Sequence, residues 1–302
     1  MQIGMIGLGR MGMNMCRRLL RGNHVVVAYN RTPTKTEELA QDGAIPAYSL
    51  RELVAKLETP RVVWLMLPAG ATVDQHLEEL AQLLSPGDLV IEGGNTFYKD
   101  DLRRAALMES KKIHYLDAGV SGGIWGLQVG YCTMIGGERS DFERIEPLLA
   151  TLSPPEGYLY CGPHGAGHYV KMVHNGIEYA MMQAYGEGFA LLEASPYGKG
   201  LDYSAVSHLW NQGSVIRSWL LELLVPAFAK DPRLTEITGH VDDSGEGRWT
   251  VQEAVERGVA APTIAISLFQ RFQSRNPNAF ENRVLAALRR EFGGHAVVEA
   301  QK

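Results

Sequence analysis

A glycine pattern at the start of the chain constrains the fold more than any other feature. Residues 2–6 form a short apolar run, and GLGRMG follows at residues 7–12. This is G-x-G-x-x-G spacing, and residues 13–20 then have helical character. In a strand–turn–helix unit the first glycine permits the tight turn, the second lets a pyrophosphate approach the backbone, and the third lets helix pack on strand. The pattern predicts a Rossmann-type dinucleotide-binding unit; the alternative is a glycine-rich turn without a ligand.

The rest of the first half alternates strand and helix patterns. Apolar runs predict further strands at residues 24–29, 61–67, 88–91 and 113–116. Amphipathic stretches such as residues 73–84 separate them, which predicts a doubly wound parallel α/β sheet. The loops after three of these strands are residues 67–70, 92–96 and 117–123. Because ligands bind beyond the carboxyl ends of strands in such sheets, we expect these loops to converge on one crevice.

The end of the second strand bears on which dinucleotide is bound. It carries Asn30, Arg31 and Thr32. An acidic residue there would accept hydrogen bonds from the adenine ribose and repel a 2′-phosphate, whereas Arg31 offers a charge-assisted phosphate site. The sequence therefore favours NADP over NAD; the alternative is an exposed arginine with nothing bound. The candidate dinucleotide-binding residues are Gly7, Gly9, Met11, Gly12, Asn30, Arg31, Thr32, Leu67, Pro68 and Asn95.

From about residue 165 the strand signals stop. Helices are predicted at residues 167–194, 204–210, 215–230, 250–258, 264–274 and 278–291. Glycine and proline cluster in YLYCGPHGAGH at residues 158–168, which favours a boundary there. We predict a dinucleotide-binding domain at residues 1–164 and an all-α domain for substrate binding and oligomerisation at residues 165–302.

Four polar residues share one face of the helix predicted at residues 167–194. His174, Asn175 and Glu178 follow Lys171 at offsets of three, four and seven residues. On an arbitrary helix such a stripe is a hydrogen-bonded network without further function. In a low-dielectric cleft, the lysine would lose its preference for the charged form and accept a proton, and a shielded carboxyl would act as an acid.

Proximity to the predicted nicotinamide site favours the second interpretation. Hydride transfer from an alcohol needs a base for the hydroxyl proton, and one well-placed lysine suffices. The sequence therefore predicts a hydroxyacid dehydrogenase. A 3-hydroxy acid would give a β-keto acid that loses carbon dioxide once Lys171 polarises its ketone, and Glu178 is the candidate acid that protonates the enediol. The SGG segment at residues 121–123 offers backbone N–H groups and a hydroxyl for a substrate carboxylate.

Composition and charge argue against several other classes of protein. The chain has 302 residues, of which 45% are hydrophobic and 21% charged, as in globular proteins with room for two domains. A net charge of −5 argues against nucleic-acid or membrane-surface partners. The chain has three cysteines, Cys16, Cys132 and Cys161. They are not spaced like metal ligands, and their odd number argues against a disulfide framework. We expect no metal, and, because no leader or membrane-span pattern is visible, a cytoplasmic protein.

Five segments are informative when taken together: GLGRMG, NRT, EGGNTFYKD at residues 92–100, DAGVSGG at 117–123 and GHYVKMVHNGIEY at 167–179. They resemble the motifs of the decarboxylating 6-phosphogluconate dehydrogenases, within the β-hydroxyacid dehydrogenase superfamily. The resemblance continues to FGGH near the C-terminus. It implies oxidation of 6-phosphogluconate to a 3-keto acid, decarboxylation, and formation of ribulose 5-phosphate in the pentose phosphate pathway, with reduction of NAD(P).

The resemblance also implies roles for individual residues. Lys171 is then the base and Glu178 the acid. The residues around the sugar acid are Ser121, Gly122, Gly123, His174, Asn175 and Tyr179, and those around its phosphate are Arg271, Arg289 and His295. A family lysine that contacts the phosphate is missing from SGEGRWT, where Ser244 stands at the apparent position and Arg248 is a candidate substitute.

The chain is much shorter than the family's long form and resembles the short bacterial type, with one copy of the helical domain. Short forms that use NAD usually carry an acidic residue near position 30, where this chain has Asn30. Membership would imply a homodimer or homotetramer. Two other functions stay open: a non-decarboxylating dehydrogenase of the 3-hydroxyisobutyrate or tartronate semialdehyde type, which usually lacks the HNGIE segment, and a non-catalytic dinucleotide-sensing module.

Overall fold

The computed structural model describes residues 1–276 and 279–293. Across these residues the strands pair in one eight-stranded sheet, in the order β3-β2-β1-β4-β5-β6-β7-β8. The strands are β1 (Gln2–Ile6), β2 (Val25–Tyr29), β3 (Ile45–Ala47), β4 (Val62–Leu65), β5 (Leu89–Glu92), β6 (His114–Ser121), β7 (Cys132–Gly137) and β8 (Tyr158–Gly162). Neighbours from β3 to β6 are parallel, β7 is antiparallel to β6, and β8 is parallel to β7.

Helices connect the strands and make up the later part of the chain. Those of the first half are α1 (Arg10–Arg21), α2 (Pro33–Gln41), α3 (Leu50–Ala55), α4 (Ala71–Leu83), α5 (Tyr98–Glu109), α6 (Gly126–Val129) and α7 (Arg139–Leu152). Those that follow are α8 (Ala166–Ala194), α9 (Tyr203–Trp210), α10 (Trp219–Lys230), α11 (Glu246–Arg257), α12 (Pro262–Ser274) and α13 (Phe280–Gly293). Short 3₁₀ turns lie at Gly123–Trp125 and Gly198–Gly200.

The predicted fold class is confirmed: a Rossmann-type α/β sheet is followed by a helical region. The strands β3, β7 and β8 were not predicted, and β7 makes one edge of the sheet mixed rather than purely parallel. β7 ends in two glycines and β8 is largely half-buried, so neither shows the continuous apolar run of a central parallel strand.

The sheet is covered on both faces. Successive residues of a strand point to opposite faces, and β2 accordingly contributes Val26 and Ala28 to one apolar cluster and Val27 to the other. Helix α1 packs its Met15 and Leu19 into the first cluster, and α3 packs Leu53 into the second. Burial on both faces explains why the central strands are almost entirely apolar.

The chain divides into two compact units, residues 1–175 and residues 176 onward, and α8 runs across the division. In the second unit, side chains of α8, α9 and α10 form an apolar cluster around Phe189, Tyr203 and Phe228. Helix α10 begins later than its apolar pattern predicted because the Ser218 hydroxyl accepts a hydrogen bond from the Leu221 N–H and caps it. Among the described helices, none has the length and apolar character that a membrane crossing requires.

Candidate active site

The glycine turn after β1 has the geometry that its spacing predicted. Gly7 has φ +96°, and a Cβ on it would lie 2.4 Å from the Met66 carbonyl oxygen. A Cβ on Gly12 would lie 2.1 Å from the Gly7 carbonyl oxygen, so helix and turn pack without a side chain between them. A Cβ on Gly9 would contact nothing within 4 Å. Gly9 precedes α1, whose N-terminus has neither a side-chain cap nor an acidic residue in its first turn, and therefore fits a pyrophosphate.

Asn30 stabilises this turn from β2. Its Oδ1 accepts a hydrogen bond from the Leu8 N–H at 2.9 Å, and its Nδ2 donates to the Thr32 carbonyl oxygen at 3.1 Å. The side chain is therefore engaged with the protein backbone. Arg31 and Thr32, the next two residues, are exposed. A cationic side chain thus lies at the surface, next to the carboxyl end of β2.

The loops after β4 and β5 are in contact, as the sheet order requires. A Cβ on Gly94 would lie 2.5 Å from the Leu67 carbonyl oxygen. The buried Arg104 guanidinium donates to the Thr96 hydroxyl at 3.2 Å and to the Gly70 carbonyl oxygen at 3.4 Å, and so ties both loops to α5. Pro68 and Asn95 are exposed, Leu67 is half-buried, and Met11 packs against the core.

Lys171 lies where α8 packs closely on the sheet. It is 5% exposed, and its Nζ donates a hydrogen bond to Asn175 Oδ1 at 2.8 Å. A Cβ on Gly119 would lie 2.4 Å from the Lys171 Cβ, so only glycine at that position of β6 leaves space for the lysine stem. A Cβ on Gly167 would lie 2.4 Å from the Met134 carbonyl oxygen, so the first turn of α8 rests on backbone.

Ser121 and His174 meet beside this lysine. His174 Nδ1 is 2.9 Å from Asn175 Oδ1, and its Nε2 is 3.5 Å from the Ser121 hydroxyl. Asn175 Oδ1 therefore accepts hydrogen bonds from both the Lys171 amine and the His174 ring. The second bond requires the His174 tautomer in which Nδ1 carries the proton. Gly122 and Gly123 follow with φ +133° and +53°, and a Cβ on Gly123 would contact nothing within 4 Å. The backbone after Ser121 is thus approachable by a ligand.

The second unit contains the remaining described candidates. Glu178 on α8 is half-buried. The Tyr179 hydroxyl accepts a hydrogen bond from the Ser244 N–H at 3.0 Å, and the Arg271 guanidinium lies 3.4 Å from the centre of the Tyr179 ring. Arg271 Nη1 also donates to the Asp242 carbonyl oxygen at 2.9 Å. Tyr179 and Arg271 are therefore brought together within this unit.

Arg248 is engaged by an acidic partner. Its Nε donates to Asp243 Oδ1 at 2.8 Å, and Arg275 donates to the other oxygen at 2.8 Å. These hydrogen bonds, that of Arg248 first, lower the pKa of Asp243 to about 2. The stability that Asp243 contributes is therefore present above its ordinary pKa and lost as the pH falls towards about 2. Arg289 is exposed on α13, and the predicted phosphate ligand His295 lies outside the described residues.

A buried polar cluster beneath α8 was not predicted from the sequence. Asp117 on β6 accepts from the Gly165 N–H at 2.6 Å and from the His168 N–H at 2.9 Å, and so caps the start of α8. His168 Nδ1 is 2.7 Å from Asp101 Oδ2, and Glu92 is buried nearby. The sequence did contain a signal for this cluster, because the polar and small residues of D-x-G-x-S alternate along β6. The opposite face of the strand, which includes Leu116, belongs to the apolar core.

Two family models match consecutive parts of this chain. The model of the NAD binding domain of 6-phosphogluconate dehydrogenase matches residues 2–162, and that of the 6-phosphogluconate dehydrogenase C-terminal domain matches residues 167–292. The chain belongs to the 6-phosphogluconate dehydrogenase family.

Individual relatives of this family match along the whole chain. A Bacillus subtilis protein, YqeC, provisionally named a 6-phosphogluconate dehydrogenase, is 48% identical over 98% of this chain and 99% of its own. The NAD(+)-dependent decarboxylating 6-phosphogluconate dehydrogenase of Haloferax volcanii is 44% identical over 98% of each chain. The Plasmodium falciparum 6-phosphogluconate dehydrogenase structure, described with NADP+ and with 6-phosphogluconate, superposes with a TM-score of 0.83 at 31% identity, and covers 99% of this chain and 66% of that one.

Membership of this family indicates an NAD(P)-dependent dehydrogenase. Of the relatives above, the Haloferax volcanii enzyme is named as NAD(+)-dependent, and the Plasmodium falciparum structure is described with NADP+. The assignment of individual site residues stays a prediction, which variants must test.

Gly9 provides such a test. Replacing Gly9 by alanine adds a methyl group that contacts no protein atom, at φ −67°, which alanine adopts readily. We expect Gly9→Ala to leave the melting temperature unchanged and to weaken NADPH binding about tenfold or more, because the methyl group occupies the space through which the pyrophosphate approaches. Titration of NADPH fluorescence measures the binding.

Gly186→Ala on α8 is the matched control, because its Cβ also contacts nothing and it lies outside the glycine turn. It should leave NADPH binding unaltered and raise the melting temperature slightly, because alanine is favoured over glycine inside a helix. Wild-type NADPH affinity in Gly9→Ala would show that the pyrophosphate does not approach this glycine.

Proposed function

We propose that this chain catalyses the oxidative decarboxylation of 6-phosphogluconate to ribulose 5-phosphate and carbon dioxide, with reduction of NAD(P). The observation that carries the proposal is the match over nearly the full length of the chain to a relative named for the decarboxylating reaction. The geometry of the first unit supports it, because a buried lysine amine lies beside a serine hydroxyl and an imidazole.

Lys171 is the proposed base. Its buried amine, held by the hydrogen bond to Asn175, is proposed to take the proton of the substrate's C3 hydroxyl. The bound nicotinamide supplies the acceptor for the C3 hydride. Lys171, now protonated, then donates a hydrogen bond to the C3 ketone and stabilises the electrons released when C1 leaves as carbon dioxide. Glu178 is the proposed acid that protonates the resulting enediol at carbon and so completes the ketose.

The remaining candidates bind the sugar acid. Ser121, Gly122 and Gly123 are proposed to hold its carboxylate through a hydroxyl and backbone N–H groups, which suits an anion. His174 and Asn175 fix Lys171 and the substrate hydroxyls. Tyr179 is proposed to contact the sugar acid, and for the phosphate we propose Arg271, Arg289, His295 and Arg248. Arginine meets phosphate with two parallel hydrogen bonds, and Arg271 and Arg248 are both held in place by neighbours within their unit.

NADP is the proposed preferred dinucleotide. Asn30 replaces the acidic residue that would bind the adenine ribose, and its side-chain oxygen is already used by the Leu8 N–H. Arg31 is exposed at the adjoining position and available to a 2′-phosphate.

The domain division at residues 1–164 and 165–302 stays part of this proposal. It is supported by the two family models, which meet between residues 162 and 167, whereas the compact units divide after Asn175. We assign the dinucleotide to the first domain, and we assign the phosphate group and self-association to the second.

A homo-oligomer is proposed from the surface of the second unit. Large apolar side chains are exposed there on several helices: Ile177, Leu191, Trp219, Ile266, Phe269, Phe280, Leu285 and Leu288. A second copy of the chain would cover such side chains and remove them from water.

The reaction itself is tested by adding 6-phosphogluconate to the protein with NADP or NAD and following absorbance at 340 nm. We expect the wild type to reduce the dinucleotide and Lys171→Ala to lose at least about a thousandfold in kcat, because no other group takes the hydroxyl proton. Binding of NADPH to Lys171→Ala should stay within about twofold of the wild type, since Lys171 does not belong to the proposed dinucleotide site.

Lys199→Ala, which removes an exposed lysine, is the control and should retain wild-type turnover. If Lys171→Ala lost NADPH binding and turnover to the same extent, Lys171 would have a structural role instead of a catalytic one. Reduction with 3-hydroxyisobutyrate but not with 6-phosphogluconate would refute the substrate assignment.

Dinucleotide choice is tested by Arg31→Asp. The new carboxylate repels a 2′-phosphate and accepts hydrogen bonds from a ribose, so the ratio of kcat/KM for NADP to that for NAD should fall about tenfold or more. Arg51→Asp makes the same charge change at another exposed position and should leave the ratio alone. An unchanged ratio in Arg31→Asp would show that Arg31 does not bind the 2′-phosphate.

Self-association is tested by sedimentation equilibrium. We expect a mass of at least twice that of the 302-residue chain, and expect Phe269→Glu to lower it, since the charge would be buried without a partner. Leu159→Glu places a charge on an exposed residue of the first unit and serves as the control. A monomer mass for the wild type would contradict the proposal.

A further inference from the structure

The proposed mechanism leaves one buried charged cluster without a role. Glu92 ends β5, Asp101 lies on α5 and His168 lies in the first turn of α8. All three side chains are at most 1% exposed. Ionisable groups so deep in a domain need partners, because an isolated charge there is costly.

The imidazole of His168 lies between the two carboxylates. Its Nδ1 is 2.7 Å from Asp101 Oδ2, and the other Asp101 oxygen accepts a hydrogen bond from the Tyr115 hydroxyl at 2.8 Å. Its Nε2 is 3.9 Å from Glu92 Oε2. Within the described residues, neither that nitrogen nor that oxygen has a hydrogen-bond partner. Each side of the ring therefore faces an acid.

This arrangement favours the imidazolium. Burial opposes the charged ring, but the carboxylates of Asp101, Glu92 and Asp117 outweigh it and raise the pKa of His168 to about 10. The same burial raises the pKa of Asp101 above its ordinary value, although His168 opposes that rise. The stability that protonated His168 contributes is present below its ordinary pKa and lost as the pH rises through about 10. A neutral ring would leave one carboxylate facing an unprotonated nitrogen.

The cluster does not have the geometry of a metal site. The three residues offer ligand atoms within 4.8 Å of one another. Asp101, however, occupies Nδ1 of the ring whereas Glu92 faces Nε2, so the three groups do not converge on one point. The Arg104 guanidinium also lies 3.8 Å from Glu92 Oε2 and would repel a cation there. The cluster fits a proton-bearing ring instead.

The two ends of the cluster reach different parts of the active site. Glu92 Oε1 accepts a hydrogen bond from the Gly94 N–H at 2.8 Å, in the loop proposed to bind the dinucleotide through Asn95. The His168 backbone N–H donates to Asp117 at 2.9 Å, and Lys171 follows one helical turn later. The ring thus stands between the loop that faces the dinucleotide and the turn that carries the base.

We propose that Glu92, Asp101 and His168 form a positioning triad, in which an imidazolium held between two carboxylates keeps the first turn of α8, and with it Lys171, aligned with the loop at residues 92–95. This inference rests on the proposed function, because it takes Lys171 as the base. Hydride transfer depends on alignment of base, substrate and nicotinamide, and small displacements lower the rate.

The kinetic test uses Asp101→Asn, Glu92→Gln and the double variant, which remove charge and keep shape. Each single change should lower kcat about tenfold and leave the KM values for 6-phosphogluconate and NADP within about twofold. The double variant should be no slower than the slower single variant, because both changes disable one unit. The proposal would be overturned if the two falls in kcat multiplied in the double variant. It would also be overturned if the variants lost thermal stability but kept the wild-type kcat.

Asp88→Asn is the matched control. Asp88 is also 1% exposed, and it pairs with Arg61 at 3.1 Å, near the start of β5 rather than at its end. It should lower the melting temperature and leave kcat unchanged when assayed well below that temperature. A tenfold fall in kcat for Asp88→Asn would show that any buried charge loss has this effect, and would overturn the specific role of the triad.

Nitrogen-15 NMR of histidine-labelled full chain decides the protonation state without an activity assay. One of the nine histidines should keep both ring nitrogens protonated from pH 6 to pH 9 and should vanish from the spectrum of His168→Gln. In Asp101→Asn it should titrate at lower pH. A neutral His168 at pH 7 overturns the triad even if the variants fold poorly. Absence of wild-type turnover on 6-phosphogluconate would instead count against the proposed function, and the spectrum would still test the imidazolium.

Discussion

The close approach of α8 to β6 and β7 is the constraint on which the proposed active site depends. Gly167 lets the first turn of the helix rest on the β7 backbone, and Gly119 leaves space for the stem of Lys171. Asp117 fixes the same turn by accepting two backbone N–H groups. A methyl group at either glycine would displace the helix from the sheet by steric overlap alone. The position of the lysine is therefore set by backbone packing before any substrate binds.

One face of β6 supplies three successive parts of this arrangement. Asp117, Gly119 and Ser121 alternate along the strand, and they respectively cap α8, accommodate Lys171 and contact His174. The residues between them belong to the apolar core. A strand with a period of two thus has two different faces: its apolar face packs in the core, and its other face positions the polar groups. The charged cluster of Asp101 and His168 continues this polar side inward.

The local parts of the structure were predictable from the sequence, and the long-range parts were not. The glycine turn, the central strands and α8 follow from periodicity and from the conformational needs of glycine. The stripe of Lys171, His174 and Asn175 was also visible as helical spacing. The pairing of His168 with Asp101 was not, because residues 67 positions apart in the chain meet only once the sheet has formed. The edge strands escaped prediction because half-buried strands lack a continuous apolar run.

We expect oxidation of the substrate to be followed by loss of its carboxylate. The measurement uses 6-phosphogluconate carrying carbon-13 at C1, followed by NMR while dinucleotide reduction is monitored in the same sample. We expect one labelled carbon dioxide or bicarbonate for each dinucleotide reduced, with unlabelled ribulose 5-phosphate as the other product. Reduction of the dinucleotide with the label retained in a sugar acid would contradict this expectation and indicate a dehydrogenase that does not decarboxylate.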